Sequence, residues 1–101
     1  MSIINLTPHP ITLPDRIIPP SGQIARVAVT QSDAGQHGGI PLVRGTYGQV
    51  QDLPEPSPGV LLVVSAMVRS ACPDRSDLAS PARMVRDATG AIVGCDALEI
   101  N

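Results

Sequence analysis

The chain contains no phenylalanine, no tryptophan and no lysine, and Tyr47 is its one aromatic residue. Large rings usually supply much of the buried area of a small core, so the interior has to be aliphatic, drawn from ten Val, nine Ile and eight Leu. Cysteine is scarce too. Cys72 and Cys95 stand far apart with no second cysteine or histidine near either, which excludes a zinc-site spacing and a disulfide framework. Both read as buried free thiols, and neither a metal nor a cofactor is expected. No run reaches the roughly 18 apolar residues of a membrane span, and "MSIINLTPHP" lacks the charged start and long apolar stretch of a leader. A cytoplasmic protein with no membrane partner is expected. The formal charge of −2 and pI of about 5.4 give no field for coating a polyanion, so generic nucleic-acid binding is not expected either. All seven basic residues are arginine. This fits a GC-rich coding bias, and it makes every cation a planar fork suited to carboxylate or phosphate.

At 101 residues the chain encloses one small core, so residues 1–101 form a single domain. With 11 prolines and few bulky side chains, an isolated copy would be marginally stable, which predicts a homo-oligomer. Short β-type runs are divided by Pro and Gly. "SIINL" and "ITL" flank "TPHP", where Pro8 and Pro10 hold Thr7 and His9 extended. "QIARVAVTQ" alternates as a half-buried strand does, "SDAGQHGG" reads as a flexible tip, and "IPLVRGTYGQVQDL" reads as a strand interrupted at Gly45 and Gly48. "PEPSPG" is an irregular connector. Val60 to Val64, "VLLVV", is apolar on both faces and should lie mid-sheet. Ser65 then caps a short helix that Pro73 stops, and "ARMVRD-ATG-AIVGC" is a hairpin with Gly90 at a position needing positive φ. The expected fold is mainly β (α+β): a compact, mostly antiparallel sheet or barrel-like fold of about six or seven strands with one short helix.

The stretch from Ser65 to Asp87 holds four of the seven arginines and three of the nine acids. Two readings are open. Ser65, Arg69 and Arg75 could form a phosphate or nucleotide site at the helix start, with Arg83 and Arg86 arriving from the final hairpin. Alternatively, Asp74, Asp77 and Asp87 neutralise these arginines on a salt-bridged surface. Tyr47, between two glycines with Arg44 nearby, either stacks on a planar ligand or is an ordinary strand tyrosine at a bulge. His9 reads as a structural histidine bonding a neighbouring backbone carbonyl, and His37 as a solvated residue on the tip. Ser65, Ser70 and Ser80 have no histidine nearby, and no catalytic set of residues is expected.

The ordered motifs "NLTPHPITL", "IPPSGQIARV", "YGQVQDLPEPSPG", "VVSAMVRSACPDRSDLASP" and "MVRDATGAIVGC" resemble a family of small uncharacterised proteins encoded by tailed bacteriophages and prophages, over nearly the whole chain. The resemblance implies a phage context, a host-cell cytoplasm and a similar β-rich fold, with no residues of known role to carry over. In that context the expected function is an accessory one. The chain would bind and sequester a phosphorylated small ligand, such as a nucleotide immune signal, as an anti-defence protein. The alternative is a structural or protein-interaction module docking on a host or virion protein, and nothing positive supports a hydrolase or nuclease.

Overall fold

The computed structural model describes residues 2–101. Its elements, in order, are β1 (Ser2–Asn5), β2 (Ile11–Thr12), β3 (Ile17–Ile18), β4 (Arg26–His37), β5 (Ile40–Gln51), β6 (Val60–Val63), α1 (Ala66–Ala71), β7 (Leu78–Arg86) and β8 (Ile92–Ile100). The fold is mainly β with one short helix. Its strands divide among three sheets, none closed into a barrel: a four-stranded sheet in the order β1-β6-β7-β8 and the two-stranded pairs β2-β3 and β4-β5. The pairs and the β7-β8 hairpin are antiparallel, whereas β1, β6 and β7 run parallel. A parallel crossover needs about a dozen residues or more, and Val64 to Asp77, carrying α1, supply them between β6 and β7.

The apolar run of β6 lies mid-sheet because its two faces feed two clusters. Leu62 and Val64 pack with Leu6, Ala25, Val68 and Leu78 beneath α1, joined by Val27 and Val50 from the roots of β4 and β5. Val63 points the other way, into Ile11, Ile18 and Cys95 under the β2-β3 pair. A strand covered on both sides has no use for alternation. Cys95 is a buried free thiol, while Cys72 is only half-buried. Ser65 caps α1 as expected: its backbone is extended and its Oγ accepts the Val68 N–H at 3.2 Å. Gly90 takes a φ of +87°, and the Asp87 carboxylate accepts the Thr89 and Ala91 amides to shape that turn. The Thr89 hydroxyl also donates to that carboxylate, at 2.6 Å, and this bond first of all, with the amides, holds the Asp87 carboxyl below its usual pKa.

The central hairpin departs from expectation. Strand β4 runs on through "SDAGQH", so the tip is Gly38-Gly39 alone, and β5 continues past Gly45 and Gly48 without a break. Bulges around Gly48 and Gly35 absorb the irregularity as register shifts instead of ending the strands, while Gly45 pairs in regular register with Gln31. Beyond Val27 the β4 segment is almost wholly exposed, not half-buried. Two strands of 12 residues make a ribbon that extends the molecule to 50 × 40 × 23 Å. The radius of gyration, 16.3 Å, exceeds the ~13 Å of a compact chain of this length, so the shape is less compact than the sequence leads one to expect.

Candidate functional site

The arginines of the Ser65–Asp87 stretch do not converge on an open anion pocket. Arg69 lies on α1, but its Nε donates to Ser80 Oγ at 2.9 Å and its NH1 to Asn101 Oδ1 at 3.1 Å. NH2 faces Glu99 at 3.2 Å, a carboxylate from β8 and not one of the expected aspartates. In return, the Asn101 amide nitrogen faces the carbonyls of Arg69, Cys72 and Arg75 at 3.1, 2.9 and 3.2 Å, covering the end of the helix. Arg75 turns elsewhere. It grips Asp77 through Nε and NH2, both at 2.7 Å, and gives a further bond to the Pro54 carbonyl at 2.9 Å. Its planar fork thereby ties the Pro-rich connector to the entry of β7. Asp74 takes no part in the salt bridges seen among the described residues.

The Asp77 carboxyl is held below its usual pKa, chiefly by the Arg75 hydrogen bonds, with burial opposing them. A folded value below the unfolded one means that the contribution is complete above about pH 5 and is lost as pH falls through the depressed value. The side chains are 21% and 16% exposed, so water screens the pair only in part. Arg75→Ala and Asp77→Asn should each cost about 1–3 kcal/mol, by similar amounts because either leaves the other partner alone. Thermal melts check this. The gap between parent and Asp77→Asn should be full at pH 7 and shrink towards pH 3, and a gap constant across that range contradicts the pairing.

The sequence reading missed Asn5, one of two buried polar residues among those described, which organises the end of β1. Its amide donates to the His9 carbonyl at 2.8 Å and the Ile18 carbonyl at 3.1 Å, and its Oδ1 accepts the Thr7 N–H and hydroxyl at 2.9 and 2.6 Å. "TPHP" is thereby folded back over the sheet. The only available signal was an asparagine among apolar strand residues, two positions before a threonine it could bond.

After β1 the chain leaves towards the β2-β3 side of the sheet; after β6 it leaves towards α1, on the opposite side. Adjacent parallel strands whose continuations part in this way leave a crevice at their carboxyl ends, the usual place for ligands in such sheets. A cleft of about 460 Å³ lies there, between Thr7 to Thr12, Val64 and Ser65, and a wall from β7 and β8 that includes Met84, Ile92 and Val93. Gly94 lets that wall close on β2, since a Cβ at this position would sit 2.8 Å from the Thr12 carbonyl oxygen. Contrary to expectation, the His9 imidazole bonds no backbone carbonyl; it is the His9 carbonyl that is engaged, by Asn5 and by the Thr7 hydroxyl at 3.0 Å. The ring lines the cleft without a hydrogen-bond partner among the described residues.

A larger cleft, about 730 Å³, lies at the amino ends of β1 and β6, but its ionisable groups, Arg16 and Asp77, face Asp15 and Arg75. Of the other candidate residues, Ser65 lines the smaller cleft with its hydroxyl committed to the cap. Arg83 and Arg86 stand exposed on β7 on either side of Met84 and Val85, without a carboxylate partner among the described residues, Arg86 bonding the Gly90 carbonyl. Arg83 holds a φ of +54°, rare for a residue with a side chain. Tyr47 and Arg44 lie apart from these, on the exposed ribbon, and His37 ends β4 beside the tip. Among the described residues, no group of three His, Cys, Asp or Glu is placed to hold a metal, and no helix is long and apolar enough to cross a membrane. No family model, curated protein or solved structure matches the chain.

Proposed function

We propose that the protein is a small accessory protein of phage type that captures a phosphorylated small ligand, such as a nucleotide immune signal, in the cleft at the carboxyl ends of β1 and β6. The crevice between the parting continuations of the two strands carries this reading. Its walls are apolar enough for a base or another flat group, and the His9 imidazole supplies an unengaged donor and acceptor. Arg83 and Arg86 are the candidates to meet the phosphoryl group, since Arg69 and Arg75 already hold the helix end and the connector. The resemblance to phage proteins supports the anti-defence role.

Calorimetry with linear and cyclic nucleotides tests this, nucleosides serving as uncharged controls. At least one nucleotide should bind, and its nucleoside should bind more weakly. His9→Ala and Arg83→Ala should each weaken binding by about 1.5–3 kcal/mol, roughly 10- to 150-fold, with melting temperature nearly unchanged. If no member of the panel binds the parent, or the variants bind as the parent does, the cleft reading fails. Docking on a host or virion protein then becomes the leading account.

A further inference from the structure

The β4-β5 ribbon has one apolar face. Register places Val27 opposite Val50, Val29 opposite Tyr47, and Val43 opposite Asp33, so these five apolar side chains share one side of the ribbon as it leaves the core. Val27 and Val50 at the root are packed against the core, but Val29, Tyr47 and Val43 beyond them are 49%, 59% and 57% exposed. Between this face and α1 lies an open groove of about 430 Å³ lined by Tyr47 and by Met67, itself largely exposed. Asp33, towards the tip, is the one charged residue on that face, and its carboxylate already accepts the Gly35 N–H at 3.1 Å.

A two-stranded ribbon in water is marginal, because both strands are edges with unpaired amides and carbonyls. The molecule's surface shows how much cover is missing. A compact chain of 10.5 kDa exposes about 5,400 Å², whereas this one exposes 6909 Å². The excess, roughly 1,500 Å² per copy, is well above the ~800 Å² that each partner buries in a standard interface and falls in the range of permanent homodimers.

We infer that the occupant of this face is a second copy of the chain, the Val29/Val43/Tyr47 side of one ribbon packing on the same side of another about a two-fold axis. An apolar patch is complementary to itself, and two-fold pairing covers both ribbons at once, whereas head-to-tail stacking would leave an uncovered ribbon at each end and grow into a filament. The inference is independent of the ligand cleft, which shares no lining residue with this groove.

Light scattering on the intact protein at 50 µM should give at least twice the chain mass of 10.5 kDa, falling towards the monomer as the protein is diluted to 1 µM. Val43→Glu and Val29→Glu, both at exposed ribbon positions, should each shift the species to monomer and weaken self-association at least tenfold, with far-UV circular dichroism retained. Hydrogen exchange of the parent gives a second reading that needs no variant: β4-β5 amides should be protected at 50 µM and exchange much faster at 1 µM. A monomeric parent across the range, variants that keep the parent's mass, or ribbon exchange independent of concentration would each overturn the inference.

Discussion

Asn5→Ala should lower the melting temperature by more than 10 °C. The side chain is 1% exposed and makes four hydrogen bonds, so its loss strands the Ile18 carbonyl in a buried site and frees the Thr7 amide, leaving the Thr7 hydroxyl and the His9 carbonyl only each other. Each buried polar group left unpaired costs about 1–3 kcal/mol, and about 3 kcal/mol is expected once water has reached the more exposed ones. In a domain of this size that is a shift of roughly 4–8 °C per kcal/mol. The variant should also loosen "TPHP", which Asn5 anchors at one wall of the cleft. Scanning calorimetry gives the first effect, and proteolysis between Leu6 and Ile11 the second. A variant melting within 3 °C of the parent would mean that water replaces the whole network.

Leu78→Ala is the other large effect. Leu78 is fully buried at the start of β7, paired with Leu62 of β6, and packed with Val64 and Val68 in the cluster beneath α1. With no aromatic ring in the interior to slide into the gap, the site collapses poorly, so the loss should fall in the upper part of the roughly 2–5 kcal/mol range for such truncations. Against a total stability of about 5–15 kcal/mol this approaches unfolding. Urea titration should show a lower midpoint with an unchanged slope. A loss under about 1 kcal/mol would mean that the neighbours repack around the missing methyls.

Where signals are local, the sequence was readable. Ser65, Pro73 and the period of "AMVRSAC" fix α1 within one turn, and Gly90 fixes the last hairpin, because a cap, a stop and a positive φ are properties of neighbouring residues. "VLLVV" gave its own burial. The parallel pairing of β1 with β6 was not readable, since nothing in "SIIN" indicates which distant run it joins. Exposure of the ribbon was hidden for a related reason: "QIARVAVTQ" alternates as though one face were covered, and within a single copy nothing covers it. The arginine cluster was legible as two alternatives, and the structure separates them for Arg69 and Arg75, whose partners Glu99 and Pro54 are distant in sequence. The cleft depends on which side of the sheet each continuation takes, a three-dimensional fact with no short-range mark.

The pairing of Ser2 with Val60 also sets the order in which the chain can acquire its shape. Strand β1 emerges from the ribosome first and has no partner until more than half the chain has followed. At roughly 5–20 residues per second, that wait lasts seconds. Meanwhile β4 and β5, adjacent in sequence and joined by a two-glycine turn, can zip within microseconds of being made. In the nascent molecule the ribbon can therefore zip and reopen while the body is unformed, putting Val29, Val43 and Tyr47 on display before the four-stranded sheet closes. On the two-fold pairing proposed above, neighbouring chains on one messenger would meet through that face while each is still incomplete, so that assembly would begin during synthesis and the four-stranded sheet would close on a body already held to its partner.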